Sequence, residues 1–252
     1  MKIVSYNLRS GGKTGQDNHW QRLLSDFSPD IVFAQESLDP RKYFSGQVEI
    51  ADKRCLHKLV SHGKWGSAIW SKSMDLEPVE LPNFKGSVVG ARIMNPIPDS
   101  DSQTAMIFSI HAPTSPSYVA EVNKILDEIR VEWDGQPLIL AGDFNVTTAR
   151  RQSSEDPLKN SRQELDLLNR LQADFGLINA WQTLNPEAPL PQTLRWNSKP
   201  SIPYHCDAVF VSHQFVPHLA TARIESSGDW GVLSDHNPVI VEMALARPES
   251  PS

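Results

Sequence analysis

Leu138-Ile-Leu-Ala-Gly-Asp-Phe-Asn145 is a run of four apolar residues followed by a glycine, an acid and an amide. The apolar part predicts a short strand that is buried on both faces, as in the centre of an α/β sheet. Residues two apart in an extended chain point the same way, so Asp143 and Asn145 are expected to leave the strand side by side. Open α/β sheets place their chemistry at such strand ends. The alternative is an Asx turn that caps the strand, which would be favoured for an isolated motif.

A second stretch of the same kind is Ser234-Asp-His-Asn237, which we interpret as the end of another buried strand. Two apolar strands that end on acids, amides and a histidine favour a shared functional edge over two separate turns. The sequence therefore predicts an α/β fold with its chemistry at one edge of the sheet.

Length and composition restrict the class of protein. The chain has 252 residues, of which 39% are hydrophobic, enough for a sizeable core. The net charge of −6 argues against binding nucleic acid by the charge of the whole protein, but it does not exclude a locally basic cleft. Cys55 and Cys206 lie far apart, which fits reduced thiols in a cytoplasmic protein. The first residues enter a strand directly, so we expect no signal peptide, and no apolar run is long enough to span a bilayer.

The N-terminal residues have the strand–helix–strand order of a parallel crossover unit. The pattern predicts a strand over Lys2–Asn7, a helix over Asp17–Phe27 and a second strand over Asp30–Gln35. Parallel strands end at the same edge of a sheet, so Asn7 and Glu36 are expected to lie near each other.

The rest of the chain alternates short strands with two long helices. Turn residues separate strand-like runs between about residues 48 and 110, a spacing typical of antiparallel meanders. The further predicted elements are helices over 115–133 and 161–175, and strands over 204–212, 215–225 and 238–244. Residues 185–204 carry five prolines and are interpreted as a long surface loop, a type that is usually functional. We expect one domain over residues 1–246 and a frayed tail over 247–252.

The polar residues at the predicted strand ends belong to one chemical set. Each has an ordinary explanation as a turn cap, a surface acid or a satisfied histidine, but together they favour a site. Their carboxylate and amide oxygens suit a hard cation such as Mg²⁺ or Mn²⁺, and with two cysteines and no close histidine pair a zinc site is disfavoured. The set consists of Asn7, Glu36, His111, Asp143, Asn145, Asp207, Asp235 and His236.

Seven of these positions stand in five motifs whose order matches a known family. The motifs are Tyr6-Asn7, Gln35-Glu36, Ser109-Ile-His111, Gly142-Asp-Phe-Asn145 and Ser234-Asp-His236, with Asp207 inside a predicted strand. In them the chain resembles the endonuclease/exonuclease/phosphatase superfamily, which includes pancreatic-type deoxyribonucleases, AP endonucleases, neutral sphingomyelinases and inositol polyphosphate 5-phosphatases. The match extends from residue 4 to residue 240. The resemblance implies a four-layer α/β sandwich, with two packed mixed β-sheets flanked by helices.

The resemblance also implies a metal site and a set of catalytic roles. Glu36 would be the principal ligand of Mg²⁺ or Mn²⁺, with Asn7 and Asp235 nearby.

The catalytic groups implied by the resemblance surround the scissile phosphate. Asp143 would orient or deprotonate the attacking water, helped by Asn145. His236 would contact the phosphate while Asp207 holds its ring, and His111 would stabilise the phosphoryl oxygens. Such donors lower the barrier because negative charge builds on these oxygens during attack.

Four further residues are candidate substrate contacts. Arg9 and Lys13 follow the first strand, where a phosphate backbone would pass, although a solvated loop explains them equally well. Arg195 and Trp196 stand in the proline-rich segment, where they would contact a groove or stack on a base. The alternative is a tryptophan that packs down on its own loop.

The sequence restricts the identity of the substrate less than it restricts the type of reaction. AP endonucleases usually follow Gln-Glu with Thr-Lys, whereas Ser37-Leu38 follow it here, and their tryptophan-rich segment has only a thin counterpart in Thr193-Leu-Arg-Trp196. We predict a metal-dependent phosphodiester hydrolase, foremost a monomeric nuclease acting on DNA or RNA, with no membrane partner. The alternatives are a phosphoesterase for a small or lipid-linked phosphate and a non-catalytic nucleic-acid-binding protein.

Overall fold

The computed structural model describes residues 1–11, 19–43, 52–61, 63–97, 103–196 and 199–245. Lys13 and the predicted tail over 247–252 lie outside these residues. The strands are β1 (Lys2–Gly11), β2 (Ile31–Ser37), β3 (Cys55–Leu59), β4 (Gly66–Ser71), β5 (Glu77–Val79), β6 (Val88–Met94), β7 (Thr104–His111), β8 (Leu138–Asp143), β9 (Leu177–Asn179), β10 (Asp207–Ser212), β11 (Leu219–Ile224) and β12 (Val239–Met243). The helices are α1 (His19–Phe27), α2 (Tyr118–Glu132), α3 (Arg162–Phe175), α4 (Ala180–Leu184) and α5 (Trp230–Leu233).

The described strands form two mixed six-stranded sheets. The first has the order β11-β12-β1-β2-β4-β3 and the second the order β5-β6-β7-β8-β10-β9. Strands β1 and β2 are parallel, as the predicted crossover unit requires, and so are β7 and β8. Strands β5, β6 and β7 pair antiparallel, which confirms the meander predicted for the middle of the chain.

Strict alternation of side chains divides the core into three layers of apolar contacts. Ile3 and Ile139 point between the two sheets, where they belong to one buried cluster. Val4, the next residue of β1, points outward and packs with α1. Leu140 points outward on the other side, into the cluster that contains α2 and α3. The predicted four-layer sandwich is therefore confirmed, and burial on both faces explains why β8 is apolar from Leu138 to Ala141.

Local signals fix where the helix over residues 161–175 begins and ends. The Ser161 side chain accepts a hydrogen bond from the Glu164 backbone, and the Glu164 carboxylate accepts one from the Ser161 backbone. This capping box satisfies two amide donors that a helix N-terminus leaves unpaired. Gly176 ends α3 in the left-handed conformation, at φ 64°.

Three predicted elements differ from the structure. The segment over residues 213–218 is a 3-10 helix and not the start of a strand, because Pro217 has no amide hydrogen for a ladder bond. The segment over 185–204 is not simply a surface loop. Thr193 is fully buried, Leu190 packs in a small apolar cluster, and Leu194 forms isolated bridges to Tyr204 and His236.

The third difference concerns two polar motifs. The stretch over 234–237 does not end a strand but precedes β12, and Asp207 is the first residue of β10 and not an interior one. Both strands run antiparallel to their neighbours β1 and β8, which carry Asn7 and Asp143. The beginning of an antiparallel strand lies at the same edge of the sheet as the end of its neighbour. The predicted polar residues therefore still lie at one common edge.

Among the described residues, no helix combines the length and the apolar character that crossing a bilayer requires.

Gly142 is required by the close approach of β8 to β7. Its φ of 146° is unfavourable for residues with a side chain, and a Cβ atom there would lie 1.9 Å from the Ile110 carbonyl oxygen. Backbone atoms of a buried strand cannot move aside cheaply. A glycine is thus required directly before Asp143 so that β8 can pack against β7 at this edge of the sheet.

We expect Gly142→Ala to lower the free energy of unfolding by about 3 kcal/mol or more, because strain and overlap add. Gly135→Ala is the matched control, since Gly135 also has a positive φ of 93° but open space around its Cβ position. It should cost only about 1 kcal/mol. Urea denaturation of both variants measures the difference, and equal losses would show that the contact with β7 is not the cause.

Candidate active site

Register and alternation bring three polar side chains to one edge of the second sheet. Within this sheet His111 pairs with Asp143 on the neighbouring strand, and Asp143 pairs with Asp207 on the next. His111 and Asp143 stand two or four residues after side chains that point between the sheets, and Asp207 stands two residues before one, so all three share that direction. Asn7 has the same direction on β1 of the first sheet. The four side chains therefore meet at the edge of the interface between the sheets.

Asp143 is the centre of this group. Its Oδ2 atom accepts a hydrogen bond from Asn7 Nδ2 at 3.1 Å. The Nε2 atoms of His236 and His111 lie 3.6 and 3.9 Å from the same oxygen. The side chain is 2% exposed, so a carboxylate here depends on these nitrogen atoms for stabilisation.

Glu36 reaches the site because β2 departs from regular geometry. Its φ is 47°, and the pairing of β2 with β4 shifts between Ala34 and Ser37. Regular alternation would turn Glu36 to the same face as Ala34, which packs against α1. In the irregular strand, Oε1 of Glu36 accepts a hydrogen bond from Asn7 Nδ2 at 3.3 Å and lies 3.7 Å from His111 Nε2.

Asn145 reaches the site by a turn and not by strand alternation. Its backbone amide donates to Oδ1 of Asp143 at 2.9 Å, which is the Asx turn considered as the alternative explanation of this motif. Its φ is 53°, and its Nδ2 atom donates to the Ala112 carbonyl at 2.8 Å. The expectation that Asp143 and Asn145 leave an extended strand in parallel is therefore wrong, yet both line the same cavity.

The segment over residues 234–236 is locked to β1 by a serine. Ser234 Oγ donates to the Asn7 carbonyl at 2.8 Å and accepts from the His236 backbone amide at 3.1 Å. Asp235 lines the cavity, and its Oδ2 atom lies 3.6 Å from Nε of Arg9. The hydroxyl thus fixes the position of the two residues that follow it.

His236 and Asp207 form a buried pair. Nδ1 of His236 lies 2.9 Å from Oδ2 of Asp207, and both residues are almost fully buried. Burial alone would lower the pKa of His236, but the carboxylates of Asp207 and Asp143 outweigh it and raise this pKa to about 10. The imidazole is therefore protonated at neutral pH. Because the pKa is raised, the stabilisation from the pair is present below about pH 6.5 and is lost as the pH rises through about 10.

The donor set fits a hard divalent cation. Oxygen atoms of Glu36 and Asp143 share one amide nitrogen of Asn7, so two carboxylates converge on one point. Oxygen ligands of this kind suit Mg²⁺ or Mn²⁺. Asp143, Asp207 and His236 also present ligand atoms within 4.8 Å of one another. A cation bound here would have to displace the proton of His236, so this second group fits a cation less well.

A cavity of about 670 Å³ opens over these groups, a volume in the range of ligand sites. Of the predicted residues it is lined by Glu36, His111, Asp143, Asn145, Trp196, Asp235 and His236. Asn7 and Asp207 lie behind them and hold them in place.

The two predicted arginine contacts are engaged with the protein in the structure. The Arg195 guanidinium donates to the Asn237 side chain and to the Ser234 and His236 carbonyls. Arg9 is half-exposed and pairs with Asp235. Neither arginine is among the residues that line the cavity.

Sequence reasoning missed three residues that shape the site. Thr193 Oγ1 accepts hydrogen bonds from the backbone amides of Cys206 and Asp207, at 2.9 and 3.1 Å. The Trp65 ring packs against the ring of His111, with centroids 5.2 Å apart. Tyr118 lines the cavity as the first residue of α2. No spacing signals these contacts, because they join segments that are distant in sequence.

Comparison with known proteins identifies relatives of the whole chain. The model of the Endonuclease/Exonuclease/phosphatase family matches residues 4–236. A curated relative, the Transposon TX1 uncharacterized 149 kDa protein of Xenopus laevis, is 26% identical over 161 residues. This match covers 64% of the chain but only 12% of the relative, so the chain spans about an eighth of that protein's length.

Solved structures with the same fold include nucleic-acid enzymes. The endonuclease domain of TRAS1, a telomere-specific non-LTR retrotransposon, is 16% identical with a TM-score of 0.65 and covers 97% of this chain and 98% of its own. The 3′ phosphatase NExo from Neisseria, bound to a product DNA hairpin, is 20% identical with a TM-score of 0.68 over 96% and 99%. An AP endonuclease from Archaeoglobus fulgidus is 15% identical with a TM-score of 0.67 over 96% and 99%.

We expect Asp207→Asn to lower the pKa of His236 from about 10 to roughly 7, because the largest charge that favours the imidazolium is lost while burial remains. NMR titration of the imidazole ring in the presence of a chelator measures it. Asp127→Asn, at an exposed carboxylate paired with Arg170, should leave the pKa unchanged. A pKa that stays near 10 in Asp207→Asn would assign the effect to Asp143 instead.

Proposed function

Since this chain belongs to the endonuclease/exonuclease/phosphatase family, we propose that it is a divalent-metal-dependent phosphodiesterase, specifically a nuclease that hydrolyses DNA. One observation carries the proposal. The buried carboxylate of Asp143 lies within 4 Å of an amide and two imidazole nitrogens at the floor of the cavity. This arrangement places an acceptor for a proton beside donors for phosphoryl oxygens, as hydrolysis by in-line attack of water requires.

Each catalytic side chain has a distinct task in this proposal. Asp143 orients the attacking water and accepts its proton. His236, kept protonated by Asp207, donates to a non-bridging oxygen of the phosphate, where negative charge grows during attack. His111 lies on the opposite side of Asp143 and contacts the same phosphoryl group. Asn145 holds the turn that follows Asp143.

Glu36 is the principal residue proposed to hold the metal ion, with Asn7 and Asp235 close to it. A bound Mg²⁺ or Mn²⁺ supplies positive charge that stabilises the transition state and the leaving oxygen. Asn7 then has two tasks, because it also holds Asp143. Arg9 is proposed to compensate the charge of Asp235 and to lie near the phosphate backbone, together with Lys13.

DNA is the proposed substrate for three reasons. The solved structures with this fold include the endonuclease of a retrotransposon, an AP endonuclease and a phosphatase bound to DNA. The cavity also carries an exposed lysine, Lys159, which forms no ion pair with the described residues. Trp196 offers a half-exposed ring beside it. We also propose a cytoplasmic location, because both cysteines are buried free thiols, and a monomeric enzyme.

Hydrolysis assays test the proposal directly. The purified protein is incubated with plasmid DNA and with a single-stranded oligonucleotide, in Mg²⁺, in Mn²⁺ and in chelator. We expect cleavage that requires the metal and that falls by about a hundredfold or more in Asp143→Ala and His236→Ala, because each removes a group that acts in the transition state. Asp127→Asn should cleave at the wild-type rate.

The product pattern distinguishes endonuclease from exonuclease action. Circular dichroism of the variants confirms that they are folded. If no nucleic acid is cleaved with either metal, while bis(p-nitrophenyl) phosphate is hydrolysed, the protein is a phosphoesterase for small substrates and the nuclease proposal is wrong.

Salt dependence provides a second test. A protein that neutralises several phosphates releases counterions, so its affinity falls steeply as salt rises. We expect the inactive Asp143→Asn variant to lose roughly tenfold or more in affinity for a labelled oligonucleotide between 50 and 200 mM salt. Adding Lys159→Gln should reduce the logarithmic slope by about 0.7, the value for one phosphate of a single strand.

Lys72→Gln is the matched control for the salt experiment. Lys72 is also exposed but follows β4 at the opposite edge of the first sheet, where its backbone pairs with Asp30. The slope should therefore not change. An affinity that is insensitive to salt would point to a small phosphoester as the substrate.

A further inference from the structure

Two exposed aromatic side chains lie at the same cavity. Seven large hydrophobic side chains are exposed among the described residues, and the aromatic ones are Tyr118 and Trp196, at 43% and 49%. Both line the cavity over Asp143. The aliphatic ones lie elsewhere on the described surface. Exposed apolar groups are costly to hydrate, so their concentration at one site indicates a ligand that covers them.

The two rings belong to chain segments that connect to the two neighbours of β8, the strand that ends on Asp143. Tyr118 begins α2, which follows β7, whereas Trp196 belongs to the segment that leads into β10. In the second sheet β7 and β10 are the two neighbours of β8, the strand that ends on Asp143. The two rings thus stand in the chain connections of the two strands that flank β8, and both line the cavity that contains Asp143.

Contacts within the protein restrict the Trp196 ring, and a helix restricts the backbone of Tyr118. The Trp196 ring packs against Tyr204, with centroids 5.8 Å apart. The preceding residue, Arg195, binds the 234–237 segment through its backbone amide and its guanidinium. Tyr118 is the first residue of a fifteen-residue helix, which fixes its backbone. Groups that are restricted before binding lose less entropy when a ligand stacks on them.

We propose that Tyr118 and Trp196 are a stacking site for an unpaired nucleobase next to the scissile phosphate. The inference rests on the proposed nuclease function and deepens it, since it assigns single-stranded or locally unpaired nucleic acid as the substrate. Planar bases present π-faces that stack on tyrosine and tryptophan with little dependence on sequence. In a fully paired duplex these faces are covered by neighbouring base pairs. The ammonium of Lys159, on the same cavity, supplies a contact for an adjacent phosphate.

Binding of two strands of equal charge tests the stacking site without requiring hydrolysis. One is a labelled twelve-nucleotide oligothymidylate, and the other is a twelve-unit abasic strand with the same phosphates and no bases. Fluorescence anisotropy in chelator gives both dissociation constants. We expect the wild-type protein to bind the base-bearing strand about tenfold more tightly or better, because each stacked base contributes. A fully paired hairpin should compete weakly.

The variants assign this preference to the rings. Tyr118→Ala and Trp196→Ala should each weaken binding of oligothymidylate by about fivefold or more and leave binding of the abasic strand unchanged. Tyr118→Phe and Trp196→Phe keep a ring and should retain most of the preference. Val131→Ala, at an 81% exposed position of α2 away from the cavity, is the control and should change neither affinity.

The outcomes separate the two proposals. Equal affinity of the wild-type protein for both strands, tighter binding of the abasic strand, or a preference that survives both alanine variants would overturn the stacking site. A preference that depends on the rings in a protein that cleaves no nucleic acid would support the stacking site and refute the nuclease. Cleavage of nucleic acid by a protein that shows no preference for the base-bearing strand would support the nuclease and refute the stacking site.

Discussion

The hydrogen bond from Asn7 to Asp143 joins the two sheets at the edge where the chemistry is concentrated. It connects β1 of one sheet to β8 of the other, and both side chains are buried. Burying a carboxylate costs free energy unless hydrogen-bond donors surround it. The donor groups around Asp143 must therefore keep their positions. The Ser234 hydroxyl donates to the backbone carbonyl of Asn7 and so helps to keep β1 in the position from which the Asn7 side chain donates to Asp143.

Charge balance links this structural requirement to function. Five carboxylates approach the cavity or its floor, those of Glu36, Asp143, Glu164, Asp207 and Asp235, and the protonated His236 compensates part of their charge. The remainder favours a divalent cation near Glu36 and Asp143. The residues that hold the fold together at this edge are thus the ones that prepare it for phosphate chemistry. Replacing any of them is expected to affect both properties, which is why folding must be measured beside activity.

The residues proposed to bind the substrate stand on different elements from the residues proposed to act in catalysis. The groups proposed to act in catalysis stand on or directly beside strands, whereas the exposed rings and the exposed Lys159 stand at a helix start and on loops. Loops can vary without disturbing the sheets, so a common catalytic floor can serve different substrates. In this chain the loops are nevertheless anchored. Arg195, expected as a substrate contact, binds the 234–237 segment and thereby positions Trp196.

The sequence by itself determined the buried strands, the crossover unit and the chemical set of the site, because hydrophobic periodicity and strand-end polarity are local properties. It also carried the motifs that place the chain in its family. Only the tertiary structure decided how Glu36 turns into the site, why Asn145 reaches it through a turn, and which strands begin at the edge and which end there. The contacts of Thr193, Trp65 and Tyr118 could not be predicted either, because they depend on how segments that are separated in the chain pack together.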